Sequence, residues 1–225
     1  MLGLFLTISL ALADWGPFPA YVESSLLEED TGFTSNYPPC NSKKLLDGVQ
    51  LPKNTELYKR WHPENAWGSP RMIDVLIQAA EDVRWNFPEA DPLVIGDISK
   101  ESGGNLEGHK SHKGGSDADI GIYFGKSRQH MIGFMNVSAQ QFDAETNWVL
   151  IRSLLESNEV ERILVDQSLV DELRKYVIQA GEMTKEEANR TFPAKMTNEI
   201  WLREKVVHHH KGHKHHYHVR TFCPP

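Results

Sequence analysis

Seven of the chain's eleven histidines crowd between His208 and His218, inside the stretch "VHHHKGHKHHYHVRTFCPP" at 207–225. Imidazole is the side chain best suited both to bind a metal and to move a proton near neutral pH. If His216-Tyr217-His218-Val219-Arg220 runs as a strand, side chains alternate. His216, His218 and Arg220 then share one face, and Tyr217, Val219 and Thr221 take the other. The two imidazoles would sit roughly 6–7 Å apart at their Cα atoms, from the rise per residue. That spacing suits one metal ligand and a neighbour that acts on a water or a substrate. His213, in the loop before the strand, can lean over the same point. A histidine pair does not make a zinc site, which needs at least three protein ligands. The rest is available upstream in "GHKSHKGGSDADI" at 108–120, which offers His109, His112, Asp117 and Asp119. A glycine-bearing loop lets His112 fold back beside an aspartate on the strand that follows. Asp117 and Asp119 share a strand face, so spacing alone does not choose between them. Two histidines and one carboxylate leave an open position, which is the catalytic rather than the structural arrangement of zinc.

Other residues read more plainly. His208, His209 and His210 lack the strand geometry and read as solvated loop residues. Asp117 reads as a structural carboxylate, Asp97 and Asp166 as strand-end residues, and Asp166 also as a helix start. Trp148 and Trp201 read as core, and His62 and His130 as surface. The competing reading of the whole tail is a non-catalytic, secreted histidine-rich protein that sequesters zinc, copper or nickel. A tag-like tract would not normally be followed by "VRTFCPP".

These residues need elements to position them. Ser69-Pro70 reads as a helix cap and first helical residue, with Ile73, Leu76, Ile77, Ala80 and Val83 at helical spacing after it. "DPLVIGDIS" (91–99) reads as a buried strand and "DADIGIYF" (117–124) as a second. Asp143 caps a helix over 144–155, and "VERILVD" (160–166) is a strand. "SLVDELRKYVIQAG" is an amphipathic helix closed by Gly181, and "TKEEANR" has good helix formers. "HHYHVRTF" (215–222) is the last strand. Strands and helices alternate without regular βαβ spacing. The expected fold is therefore α+β, a single domain with a central antiparallel sheet carrying the zinc site and helices flanking it.

The chain has 225 residues, 40% hydrophobic and 24% charged, enough for one domain with a real core. A net charge of −7, with lysines scattered, argues against nucleic acid as a partner. "MLGLFLTISLALADWG" is apolar from Leu2 to Ala13 apart from Thr7 and Ser9. It is too short to span a bilayer and ends in Ala11-Leu12-Ala13, so it reads as a signal peptide, residues 1–13. No integral membrane segment is expected after its cleavage. Residues 14–225 then read as one domain, in which proline-rich 14–68 forms an irregular N-terminal wrap. In an exported chain Cys40 and Cys223 are able to form a disulfide.

"SHKGGSDADI" together with "GHKHHYHVR…CP" resembles the penicillin-insensitive murein endopeptidases. These belong to a wider group of zinc peptidases that includes lysostaphin, D-Ala-D-Ala carboxypeptidases and the hedgehog signalling domain. The group pattern is H-x(n)-D followed far downstream by H-x-H, with n equal to six in this branch. That pattern runs from His112 to Asp119 and passes over Asp117. The resemblance implies zinc ligands His112, Asp119 and His218, catalytic His216 and His213, and a histidine near the site at His109. It also implies a Cys40–Cys223 disulfide. Cys40, Leu51-Pro52, "VIGDIS", "FDAETNW", "VERILVD" and the terminal "CP" follow in the family's order. Lys214 and the extra "HHH" at 208–210 depart from the pattern. The implied activity is an exported, bacterial, periplasmic or wall-associated Zn2+ endopeptidase. It would cut the D-alanyl–diaminopimelyl bond in the peptide cross-links of peptidoglycan. A carboxypeptidase or amidase acting on another wall amide is the nearest alternative.

Overall fold

The computed structural model describes residues 44–53, 56–125, 134–195, 197–203 and 205–222. The expectations for the apolar leader, for residues 14–43 and for Cys40, His130 and Cys223 fall outside the described residues.

The described residues form an α+β unit built on an open sheet of six strands. In chain order the strands are β1 (Val49–Gln50), β2 (Tyr58–Arg60), β3 (Trp67–Gly68), β4 (Leu93–Ile95), β5 (Asp117–Ile120), β6 (Val160–Val165), β7 (Val206–His209) and β8 (Tyr217–Thr221). The helices are α1 (Pro70–Asn86), α2 (Ala144–Glu156), α3 (Gln167–Gln179), α4 (Lys185–Thr191) and α5 (Asn198–Trp201). The main sheet has the order β2-β4-β5-β8-β6-β7, and β1 pairs separately with β3. Its four central strands, β4, β5, β8 and β6, run antiparallel to one another in succession, as expected. The two edge pairs, β2 with β4 and β6 with β7, are parallel. Helices intervene within each of these pairs and return the chain to the end it left, which a parallel partner requires. Residues 44–68, expected to be irregular, therefore contribute an edge strand.

The helix starts follow the capping signals. The Ser69 hydroxyl accepts from Met72 N ahead of Pro70, and the Asp143 carboxylate accepts from Thr146 N. The Asp166 carboxylate accepts from Ser168 N, and Thr184 with Glu187 makes a capping box. Helices α1 and α2 share one apolar core with Ile95, Ala118, Ile120, Ile163, Tyr217 and Val219 of the sheet. Trp148 is buried there, as expected. The alternate residues of β5 and β8, Asp117, Asp119, His218 and Arg220, therefore emerge on the opposite face. Buried Asn147 on α2 ties the two layers together. Its Oδ1 accepts from Tyr217 Oη and Tyr123 N, both at 3.1 Å.

Two expectations are corrected. His208 and His209 are not solvated loop residues: both lie on β7, His208 fully buried and His209 half-buried with its Nδ1 accepting from Gln167 N at 2.9 Å. Val206 and Val207 carry this short parallel strand into the core, and His208 follows them in. Trp201 is not core either. It is 41% exposed, with its ring edge-to-face on His208 at 5.2 Å and the Arg162 guanidinium over it at 5.2 Å. Among the described residues no helix is long and apolar enough to cross a membrane.

Candidate metal centre and active site

The pairing of β5 with β8 assembles the centre. Asp119 stands opposite His218, and Asp117 opposite Arg220. His112 arrives from the glycine-bearing loop. That loop closes where Gly115, at φ +75°, lets its carbonyl accept from Ser69 N at 2.9 Å. A side chain at Gly115 would collide with Ser69 N and the Gly68 backbone.

Hydrogen bonds fix which nitrogen of each buried imidazole is free. His112 Nδ1 lies 3.1 Å from Ile98 O, an atom that only accepts, so Nδ1 carries the proton and Nε2 a lone pair. His218 Nε2 lies 2.8 Å from Asp117 Oδ1, which leaves Nδ1 facing inward. The carboxylate of Asp117 is held in turn by Arg220 Nε at 2.8 Å. Three atoms then converge. His112 Nε2 is 3.2 Å from His218 Nδ1 and 3.2 Å from Asp119 Oδ1, and His218 Nδ1 is 3.0 Å from Asp119 Oδ1. Ligands about 2.0–2.1 Å from a tetrahedral zinc would be separated by about 3.3 Å. The set therefore fits a small divalent cation in spacing, and binding one would release the inward proton that the two aspartates hold on His218. His109, His112 and Asp119 can also be grouped as a potential metal site. Both sets share His112 and Asp119. The set completed by His218 is the tighter, since His109 Nδ1 approaches the other carboxylate oxygen, Oδ2, at 3.6 Å.

The charges follow the same geometry. Burial alone would raise Asp119, but the imidazoles of His112 and His218 beside it outweigh that and hold the carboxyl well below the usual range. Burial also opposes ionisation of Asp117, which His218 and Arg220 nevertheless lower to about 2. His218 itself would fall on burial, yet Asp117 and Asp119 hold it up to about 9. His216 goes the other way. Burial lowers it to about 3 despite the attraction of Asp119, so its ring is neutral over the physiological range. Burial and the positive charge of His218 lower His213 to about 4.

His216 Nε2 is 3.5 Å from Asp119 Oδ1, and its ring packs on His213 at 4.6 Å. His213 lies 5.7 Å from the His218 ring and has His210 Nδ1 3.1 Å from its own Nδ1. The structure thus brings His109, His112, Asp119, His213, His216 and His218 together. It adds neighbours that sequence reasoning missed. Asp97, read as an ordinary strand-end residue, bonds both His62 and His109. The signal available was its position two residues past β4. An aromatic row also flanks His216: Phe134 tilts over it at 5.5 Å, and Trp61, 46% exposed, lies 6.4 Å from Phe134. A separate cavity of about 320 Å³ involves Phe87, Pro92, Ile122 and Tyr123 but none of the histidines. Convergent donor atoms, not that hollow, locate the chemistry.

Residues 42–225 match the family model described as penicillin-insensitive murein endopeptidase. Two curated relatives carry the name "Penicillin-insensitive murein endopeptidase". The protein of Yersinia enterocolitica is 26% identical over 195 residues, covering 80% of this chain and 63% of its own length. That of Haemophilus influenzae is 26% identical over 188 residues, covering 80% and 60%. The chain thus spans less than two thirds of the length of these relatives. The match over all of the described residues has one consequence: the chain belongs to the penicillin-insensitive murein endopeptidase family.

Proposed function

We propose that the protein is an exported zinc metallopeptidase that hydrolyses the peptide cross-links of peptidoglycan at the D-alanyl–diaminopimelyl bond. The observation that carries this reading is the convergence of His112 Nε2, Asp119 Oδ1 and His218 Nδ1 beside a neutral, buried His216. His112, Asp119 and His218 would hold the ion, with His109 near enough to add a further donor. Bound there, zinc supplies Lewis acidity, polarising the scissile carbonyl and making a water nucleophilic at neutral pH.

The side chains do the rest. With its ring neutral, His216 is able to accept a proton from the attacking water or to donate a hydrogen bond to the developing oxyanion. His213 packs on that ring and restrains it. Asp117 and Arg220 keep His218 in the tautomer that faces inward. The same reading includes one catalytic domain over 14–225, a mature chain beginning at Asp14, a Cys40–Cys223 disulfide and a periplasmic or wall-associated location. Membership of the family, over residues 42–225, supports the wall-directed location, and the sequence pattern alone supports the start at Asp14 and the disulfide.

The test is the variant His216→Ala. It should keep about one zinc per chain while losing about 10²–10³-fold in release of monomers from cross-linked muropeptide dimers. His218→Ala should lose metal and activity together. A metal-storage protein would instead bind several exchangeable ions and never cut a dimer, and that result would sink the enzyme reading.

A further inference from the structure

The centre has an outer layer that spacing did not suggest. Asp97 is anchored beside β5, where its carbonyl accepts from Asp119 N at 3.0 Å. Its carboxylate is divided between two sides. Oδ1 accepts from Asn65 Nδ2 at 2.7 Å and lies 2.9 Å from His62 Nδ1. Oδ2 lies 3.0 Å from His109 Nε2. A carboxylate only accepts, so in a neutral His109 ring the proton must sit on Nε2. The lone pair is then on Nδ1, which faces Asp119 Oδ2 at 3.6 Å while the ring rests against His112 at 4.3 Å between centroids.

We propose that Asp97 is a positioning residue for the metal centre. It selects the Nε2–H tautomer of His109 and so turns the Nδ1 lone pair toward the atoms of His112 and Asp119. His62 and Asn65 brace the far side of the carboxylate and leave Oδ2 to His109. The physical basis is general: the outer partner of a ring N–H fixes both the tautomer and the orientation of the nitrogen that faces a metal. The inference rests on the metal-centre reading above, but its first readout does not need the metal.

The decisive variant is Asp97→Asn, which keeps the shape. Its carboxamide oxygen can still accept from Asn65 and His62, which turns the NH2 group toward His109. A donor in that place favours the opposite tautomer, with Nδ1–H facing inward. Nitrogen-15 NMR of histidine-labelled, metal-free protein should find His109 as Nε2–H in the wild type and shifted to Nδ1–H in Asp97→Asn. Chelator competition with zinc should find affinity lowered about 10–100-fold in the variant, the range typical for loss of an outer partner. Asn65→Ala should leave the wild-type tautomer in place. A wild-type His109 protonated on Nδ1, or an Asp97→Asn protein with unchanged tautomer and unchanged zinc affinity, overturns the proposal. Failure of the metal-centre reading has a different signature, a wild type without tight zinc whatever the tautomer of His109.

Discussion

At the scale of single residues, the two aspartates of β5 divide the work. Asp119 gives an oxygen to the centre, whereas Asp117 holds the outer nitrogen of His218 and is itself held by Arg220. Asp119→Ala should therefore abolish tight zinc binding. Asp117→Ala should weaken it by about 10–100-fold and no more, because the ligand atoms remain while the imidazole is freed to turn. Chelator competition on the purified proteins measures both, and equal loss would contradict the division of roles. Strand alternation was enough to put Asp117 and Asp119 on one side of their strand and His216, His218 and Arg220 on one side of theirs. It could not say which aspartate meets which histidine. That depends on the register Asp119 opposite His218, a pairing 99 residues apart in sequence. Asp97 was invisible for a related reason. Its partners come from two segments far apart in sequence, His62 and Asn65 from one and His109 from the other, and no local pattern marks a carboxylate that they share.

At the scale of elements, the helices were the legible part, because caps and apolar periodicity are local signals. Ser69, Asp143 and Asp166 each begin a helix as their side chains suggest. Strand β7 was not legible. Its parallel pairing with β6 spans three helices, and a histidine in a polar-looking run gave no apolar alternation to read. The loop that delivers His112 tests how tightly an element must be held to serve the centre. Gly115→Ala would put a Cβ 2.8 Å from Ser69 N in a left-handed conformation, φ +75°. The conformational cost is about 1–2 kcal/mol, and the backbone contact adds to it because neither Ser69 N nor Gly68 can swing aside as a side-chain tip can. We expect a loss of about 2–4 kcal/mol in denaturant unfolding, the strain of a left-handed alanine plus the clash. Zinc affinity should fall as well, because the same loop carries His112. A stability within about 0.5 kcal/mol of wild type would mean the loop is not pinned there.

At the scale of the whole molecule, the response to acid is set partly by a histidine that takes no part in the centre. His208 is fully buried, and among the described residues neither of its ring nitrogens has a hydrogen-bond partner. Burial, helped by the charge of Arg162, lowers its pKa from 6.5 to about 4. The unfolded chain therefore binds a proton at this residue that the folded chain refuses. Stability referred to His208 is complete above about pH 6.5 and is lost as pH falls toward 4, by up to about 3 kcal/mol at 1.36 kcal/mol per pKa unit. His213 is likewise lowered to about 4, so the wild-type curve alone does not isolate the effect. His208→Leu does. It fills a similar space against Trp201 with a side chain that needs no partner, and it leaves His213, His216 and the ligands untouched. Unfolding in urea should find the variant more stable at pH 7 by about 1–2 kcal/mol, the penalty of burying unpaired polar atoms. Its advantage should widen by up to about 3 kcal/mol by pH 4, because only the wild type must strip a proton from residue 208 to fold. Parallel stability curves for the two proteins across that range would show that His208 finds a partner or opens to water on protonation. The solvated reading of 208–210 drawn from sequence would then describe this residue better than the burial does.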